Sequence, residues 1–156
     1  VVRLLVEHGA DIDYAGFGEG TALSLAAYSG DIPFLECCLD LGASVNLQLP
    51  GSGETALHDA AVQAQTAAAQ RLLDGGADPN IHTFANKRSD MFGGGARVWA
   101  ETPLHFAAAY GDAEMIRAML QAGADRRAEN AHGERPIAYA GRHFRDGEIL
   151  ELLSLA

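Results

Sequence analysis

Six histidines, two adjacent cysteines, a run of glycines and a His-Asp pair are the residues of this 156-residue chain whose types could support chemistry. The histidines, His8, His58, His82, His105, His132 and His143, show no HExxH pairing or other metal-binding spacing, and no G-x-S-x-G stretch presents a serine nucleophile. Asp59 follows His58 directly and suggests an acid–base pair, but adjacent residues of a helix point in different directions. Gly93, Gly94 and Gly95 invite a phosphate-cradling reading, yet no strand, G-K-[ST] ending or helix start falls in the right place. Cys37 and Cys38 sit side by side on an expected helix, where small buried hydrophobes is the plain reading and a redox pair or metal site the alternative. No catalytic residue, metal site or cofactor is therefore expected.

Two of the histidines belong to a pattern that accounts for them. Glu101 to Asp125 reads ETPLHFAAAYGDAEMIRAMLQAGAD. Thr102 stands just before an apolar periodic run, where its hydroxyl can cap a free amide, and Pro103 occupies the first helical position, where a missing N–H costs nothing. Leu104, Ala107 and Ala108 give an apolar face with small residues for close approach, and Gly111 ends the helix. A second helix is expected from Ala113 to Gln121, burying Met115, Ile116, Met119 and Leu120, with Gly123 as its left-handed stop. Helices this short are marginal alone and must stack on copies of themselves.

The copies are present. TALSLAAYSGDIPFLECCLDLGASVN begins at Thr21, TALHDAAVQAQTAAAQRLLDGGADPN at Thr55, and a worn copy, RPIAYAGRHFRDGEILELLSLA, at Arg135; Val1 to Asp11 matches only a second helix and its stop. The starts Thr21, Thr55, Thr102 and Arg135 lie 34, 47 and 33 residues apart, and the stops Gly9, Gly42, Gly76 and Gly123 lie 33, 34 and 47 apart. Two independent marks agree on the period. The chain resembles the ankyrin repeat family, whose units of about 33 residues carry T-P-L-H-x-A, and is unlike armadillo or tetratricopeptide arrays in period and signature.

The resemblance implies an all-α solenoid of stacked helix-turn-helix units with hairpin-like tips and one long inserted loop. The expected division is a partial repeat at 1–16, repeats at 17–50 and 51–81, an insertion at 82–100, a repeat at 101–130 and a C-terminal capping repeat at 131–156. Ser24 stands where the family has His, Ala64 replaces the inter-helix Gly, and Arg135 and Ala138 replace the last Thr and His. The last copy should be the least regular, with Glu148, Glu151 and Ser154 on a wet face. A start in mid-repeat without Met reads as a piece of something longer.

The family binds partners on a concave side, through the exposed end of the first helix and the tips. Carried over, the first-helix positions are Tyr28 and Ser29, Val62 and Gln63, Ala109 and Tyr110, and Arg142 and His143, with Tyr28 and Tyr110 the strongest, since Tyr offers area at low entropic cost. The tips add Tyr14, Phe17, Gln48 and Leu49. The insertion, HTFANKRSDMFGGGARVWA from His82 to Ala100, adds Phe84, Arg88, Phe92, Arg97 and Trp99, an aromatic-plus-Arg composition typical of interface anchors. Recognition, packing back onto the repeats, and disorder are all open readings of it.

Charge narrows the partner. Residues 1–80 carry eleven acids against Arg3 and Arg71, and residues 81–156 carry ten against nine cations, so net charges of −9 and −1 make up the total of −10. That field opposes nucleic acid and anionic membranes and favours a protein or peptide with a basic surface, though solubility alone would explain it. No signal peptide or membrane-spanning run is present, so a cytoplasmic protein is expected, with a monomer as the default state. Ten Arg to a single Lys, with abundant Ala and Gly, suggest a bacterial source.

Overall fold

A computed structural model describes residues 1–16, 20–88 and 97–154. Its helices are α1 (Val2–Glu7), α2 (Ala22–Ser29), α3 (Ile32–Asp40), α4 (Ala56–Val62), α5 (Thr66–Asp74), α6 (Pro103–Tyr110), α7 (Ala113–Gln121), α8 (Pro136–Arg142) and α9 (Gly147–Ser154). Between α5 and α6, β1 (Ala85–Arg88) and β2 (Arg97–Trp99) pair antiparallel, so the insertion holds a hairpin that the all-α pattern did not foretell. Asn86, with φ of 56°, sits in the bulge between the paired residues Ala85 and Lys87.

The helices stack in two rows. The first helix of each pair packs on the next, α2 on α4 on α6 on α8, and the second helices form their own row, α3 on α5 on α7 on α9. Leu23, Leu35, Leu57, Leu72, Leu104, Met115, Ile116, Met119 and Ile149 fill the core, none more than 2% exposed. Each fully buried side chain of this size contributes roughly 1.5–3 kcal/mol, which holds helices of six to nine residues that would not persist alone. Small residues at Ala26, Ala27, Ala60, Ala61, Ala107 and Ala108, all 0% exposed, let the first helices approach closely.

The start and stop marks have the geometry their residue types imply. Thr21, Thr55 and Thr102 are extended N-caps, and Pro103 opens α6. Gly9, Gly42, Gly76 and Gly123 adopt φ of 92°, 85°, 89° and 91°, a left-handed turn that residues with a Cβ resist. In α9, Ile149 and Leu153 are buried while Glu148, Glu151 and Ser154 are exposed.

A series of side chains stitches each turn to the next. Asp13 accepts from the Ser44 amide at 2.8 Å and the Ser44 hydroxyl at 2.5 Å. Asn46 donates to Gly76 O and accepts from the Asp78 amide, at 3.1 and 2.8 Å, and Asn80 does the same with Gly123 O and the Asp125 amide, at 2.9 and 2.8 Å. These positions share the 33- and 34-residue spacing of the stops, and the place 47 residues beyond Asn80 is held by Arg127. Among the described residues no helix is long and apolar enough to cross a membrane.

Candidate binding surface

Histidine chemistry here is structural. The Thr102 amide donates to His105 Nδ1 at 3.1 Å, the Thr102 hydroxyl lies 2.9 Å from the same nitrogen, and Nε2 lies 3.0 Å from Glu134 O. A carbonyl accepts only from N–H, so Nε2 carries the proton and Nδ1 is the acceptor. His58 repeats the arrangement with Thr55, at 3.0 and 2.9 Å, and with Glu101 O at 3.2 Å. Each ring thus closes its own helix start and reaches the following repeat. Burial pushes His58 down to about 3 and lowers His105 as well, so both stay neutral. Ser24 closes the box with Thr21, at 2.7 and 3.1 Å, but is too short to reach across. Asp59 is buried beside His58, whose two ring nitrogens are taken by Thr55 and Glu101.

Of the two cysteines only Cys38 is buried, and its thiol is pushed up to about 11, chiefly by burial and then by Cys37, which is half-buried. No group of three or more potential ligands gathers as a metal site among the described residues.

The insertion turns inward at Thr83 and Val98, while β1 is exposed along its whole length. Val98 is 1% exposed, the Trp99 ring lies 4.6 Å from that of His132, and Trp99 O accepts from the Ala131 amide at 2.7 Å. Glu101, buried at the base, takes the Trp99 amide on Oε2, the Thr83 hydroxyl at 3.2 Å and the Tyr139 hydroxyl at 2.8 Å. Burial, reinforced by the Glu101 charge, raises the Tyr139 phenol, which remains a donor. Phe84 donates its amide to Ser52 O at 2.7 Å and lies so close over Gly53 that a Cβ there would fall 2.7 Å from its ring, though 39% of Phe84 stays exposed. Arg97 is exposed but donates to Asn86 O and Oδ1 at 3.1 and 2.7 Å, while Arg88 is exposed and free of ion pairs among the described residues. Phe92 and the three glycines lie outside the described residues, as does Phe17 of the first tip.

The remaining candidate residues divide into those on offer and those consumed. Tyr14 is 67% exposed, Tyr110 44%, Gln63 is exposed, and Tyr28 and Val62 are half-buried. Tyr28, Val62 and Tyr110 sit at the ends of consecutive first helices, with Gln63 just past the end of α4, so they share one row. Leu49 requires a correction. It is 2% exposed, because the turn at 49–54 closes on itself through Leu49 N to Glu54 O and Gly53 N to Leu49 O, both 2.8 Å, and encloses the side chain. Ala109 is likewise buried, and Gln48 spends its amide on Gly53 O and His82 O. Arg142 pairs with Glu134 at 2.6 Å and covers the Tyr139 ring at 4.6 Å.

Besides Val1, Leu4 and Leu5 at the first helix, two exposed apolar side chains of the described residues were not among the candidates: Leu25, at 46%, and Phe144, at 94%. Their signal was in the register. Leu25 lies four residues after Thr21, and Phe144 nine after Arg135, where the other copies have Gly30, Ala64 and Gly111.

The acidic first half is less available than its charge suggests. Asp31 caps Phe34 N, Asp78 caps Asn80 N, Asp11 takes the Asp13 amide, Glu36 pairs with Arg71 at 2.5 Å, and Glu54 and Asp59 are buried. Many of these acids serve turns and helix starts.

Comparison with known proteins agrees with this architecture. Residues 1–83 match the family model for ankyrin repeats in three copies, and 96–140 match that for ankyrin repeats in many copies. The chain is 38% identical over 104 residues to a probable E3 ubiquitin-protein ligase, XBOS31, of Oryza sativa subsp. japonica, covering 67% of this chain and 20% of that protein. It is 29% identical over 163 residues to a transient receptor potential cation channel subfamily A member 1 homolog of Caenorhabditis elegans, covering 92% and 14%. With neurogenic locus notch homolog protein 4 of Homo sapiens the identity is 34% over 122 residues, covering 76% and 5%. The chain thus spans a fifth or less of each, and what aligns is the repeat array. Stacked pairs, matched stops and the Thr–His box place this chain in the ankyrin repeat family, whose repeats are in general protein-interaction modules.

Proposed function

We propose that this chain is a binding module that holds a protein or peptide along the row of first-helix ends and the adjoining tips, and performs no catalysis. The observation that carries the reading is the row itself: Tyr28, Gln63 and Tyr110 recur at the ends of stacked helices whose polar groups are engaged in folding. Tyr14, Phe84, Arg88 and Trp99 extend the surface at the tips, and a basic segment of the partner would meet the acidic first half. In this reading the residues 1–156 act as one domain, in the cytoplasm of a bacterium and as a monomer. Capture from cell lysate compares the parent with a Tyr28→Ala/Tyr110→Ala variant at low and moderate salt. A partner retained by the parent and lost by the variant is expected; equal retention by both overturns the reading.

A second reading rests on coverage. Relatives several times longer match this array over a fifth or less of their length, and in this second reading the unit positions a neighbouring segment of a longer chain.

A further inference from the structure

The insertion runs against the charge of the rest of the chain. Residues 82–100 hold Lys87, Arg88 and Arg97 against Asp90, a net of +2 in a chain of −10. Asp90 lies outside the described residues. All three cations are exposed, and none forms an ion pair among the described residues. Glu101, at the base of the hairpin, is buried with its carboxylate on the Trp99 amide and the Thr83 and Tyr139 hydroxyls.

The two arginines are placed as a pair. Arg88 stands directly opposite Arg97 in the β1–β2 register, so both side chains share one face of the ribbon. Val98, the next residue of β2, is 1% exposed and packs on the core, so alternation turns the arginine face outward. Like charges directly opposite each other destabilise a strand pair. Charged side chains also keep an edge strand from pairing wrongly, but that role asks for no fixed geometry, and Arg97 has one. Asn86, left-handed at φ of 56° as Asn tolerates, presents its carbonyl and its side-chain oxygen to Arg97 Nη1, at 3.1 and 2.7 Å. Both partners are neutral, so the guanidinium keeps its charge. Its Nε and Nη2, without a hydrogen bond among the described residues, remain as the paired donors that match the two oxygens of a carboxylate.

We propose that Arg88 and Arg97 recognise a short acidic segment of the partner, with Arg97 as the fixed bidentate donor to one Asp or Glu carboxylate and Asn86 as its positioning residue. A long polyanion does not fit, because nucleic acid or an anionic membrane would also meet the −9 of residues 1–80. A short segment escapes that field, since at physiological salt exposed charges more than about 8 Å apart are largely screened. The proposal rests on the binding reading above and gives the partner a polarity, with its acidic part at the hairpin and its basic part at the first half.

The test selects binders from a displayed library of random dodecapeptides. Affinities are measured by fluorescence anisotropy at two salt concentrations for the parent, Arg88→Gln/Arg97→Gln, Asn86→Gly and Tyr28→Ala/Tyr110→Ala, beside urea unfolding of each protein. The expected result is Asp- and Glu-rich peptides that weaken with salt and lose affinity about tenfold or more with the arginine pair. Asn86→Gly, which keeps the left-handed backbone and its carbonyl but removes the side-chain oxygen, should lose less. Urea midpoints of the hairpin variants should stay close to the parent's, because every group removed there is exposed. A lowered midpoint for the arginine pair overturns the inference, since the guanidiniums would then be holding the hairpin. Acidic peptides indifferent to the arginine pair overturn it too. Basic or uncharged peptides that depend on the tyrosines overturn it and leave the binding reading standing. Peptides that need the arginines but not the tyrosines keep the hairpin as a site and overturn the tyrosine row. Light scattering that finds a dimer of the parent, lost with the arginine pair, puts the acidic half of a second copy on the hairpin and overturns a separate partner segment. No enrichment over bare support overturns both readings.

Discussion

In the repeats that begin at Thr55 and Thr102, a histidine three residues on joins each helix start to the carbonyl that precedes the next one. In the repeat that begins at Arg135, Ala138 holds that place, no side chain caps the helix, and Phe144 fills the turn. Both regions share a backbone plan, yet the central one reaches forward to the next repeat through its helix-start histidines, while the last reaches back through Tyr139 and Arg145 and leaves Phe144 outward. Stability in a stacked array comes from interfaces with adjacent units. The centre, with a neighbour on each side, is therefore where substitution should hurt most.

The largest effect tests the centre directly. Leu104 is 0% exposed between the helix rows, so Leu104→Ala should cost about 2–5 kcal/mol through lost burial and a residual cavity. Denaturant unfolding reads it, and a variant as stable as the parent would remove the centre's claim to the core.

Next comes the linkage itself. His105→Ala deprives the Thr102 amide and Glu134 O of their partner, at about 1–3 kcal/mol for each group left without one. Ser24→Ala breaks only a local box and should cost less, about 1 kcal/mol. Hydrogen exchange separates the two: His105→Ala should loosen α8 and α9 specifically, while equal losses for both variants would mean the reach across repeats contributes nothing.

Acid should act on the same contacts. His58 is held near 3 and His105 is lowered, while unfolded histidine titrates near 6.5. Below 6.5 the unfolded chain therefore binds protons that the folded chain refuses, and the stability present at neutral pH falls as pH falls toward the folded value. Each ring contributes a slope of up to about 1.4 kcal/mol per pH unit. The clean window runs from 6.5 to about 5, above the carboxylates. Urea midpoints that stay flat across it would show that these rings are not buried neutral.

The central marks were legible because each follows from local backbone chemistry: a Thr cap, a Pro at the first position, a left-handed Gly, and apolar residues at helical spacing. α7 falls where those marks put it, from Ala113 to Gln121. The row of Tyr28, Gln63 and Tyr110 was legible for the same reason, since register alone sets which residues share a face. Leu49 was not, because whether a tip side chain turns inward depends on how the 49–54 turn closes. The β1–β2 hairpin was hidden because His82 to Ala100 has neither strict alternation nor a two-residue turn to announce strands. Phe144 was visible only by comparing copies, as a Phe where the others carry Gly or Ala.

The smallest effect asks whether the irregularity of the last repeat is a matter of capping. Arg135→Thr would supply the hydroxyl that α8 lacks, an addition of roughly 0.5–1 kcal/mol. It would also remove the Arg135–Glu129 pair at 3.1 Å, whose side chains are 52% and 50% exposed, and a pair so open to solvent is worth about 0–1 kcal/mol. The balance should be a small gain, read as a slightly higher urea midpoint and slower exchange in α8 alone. A loss would mean that the ion pair holds the tip at Glu129 to the helix start, and that the last repeat has replaced the Thr–His box with a different lock. Either sign leaves Phe144 untouched, because its left-handed φ of 51° lies in the turn after α8, at the opposite end of that helix from the cap.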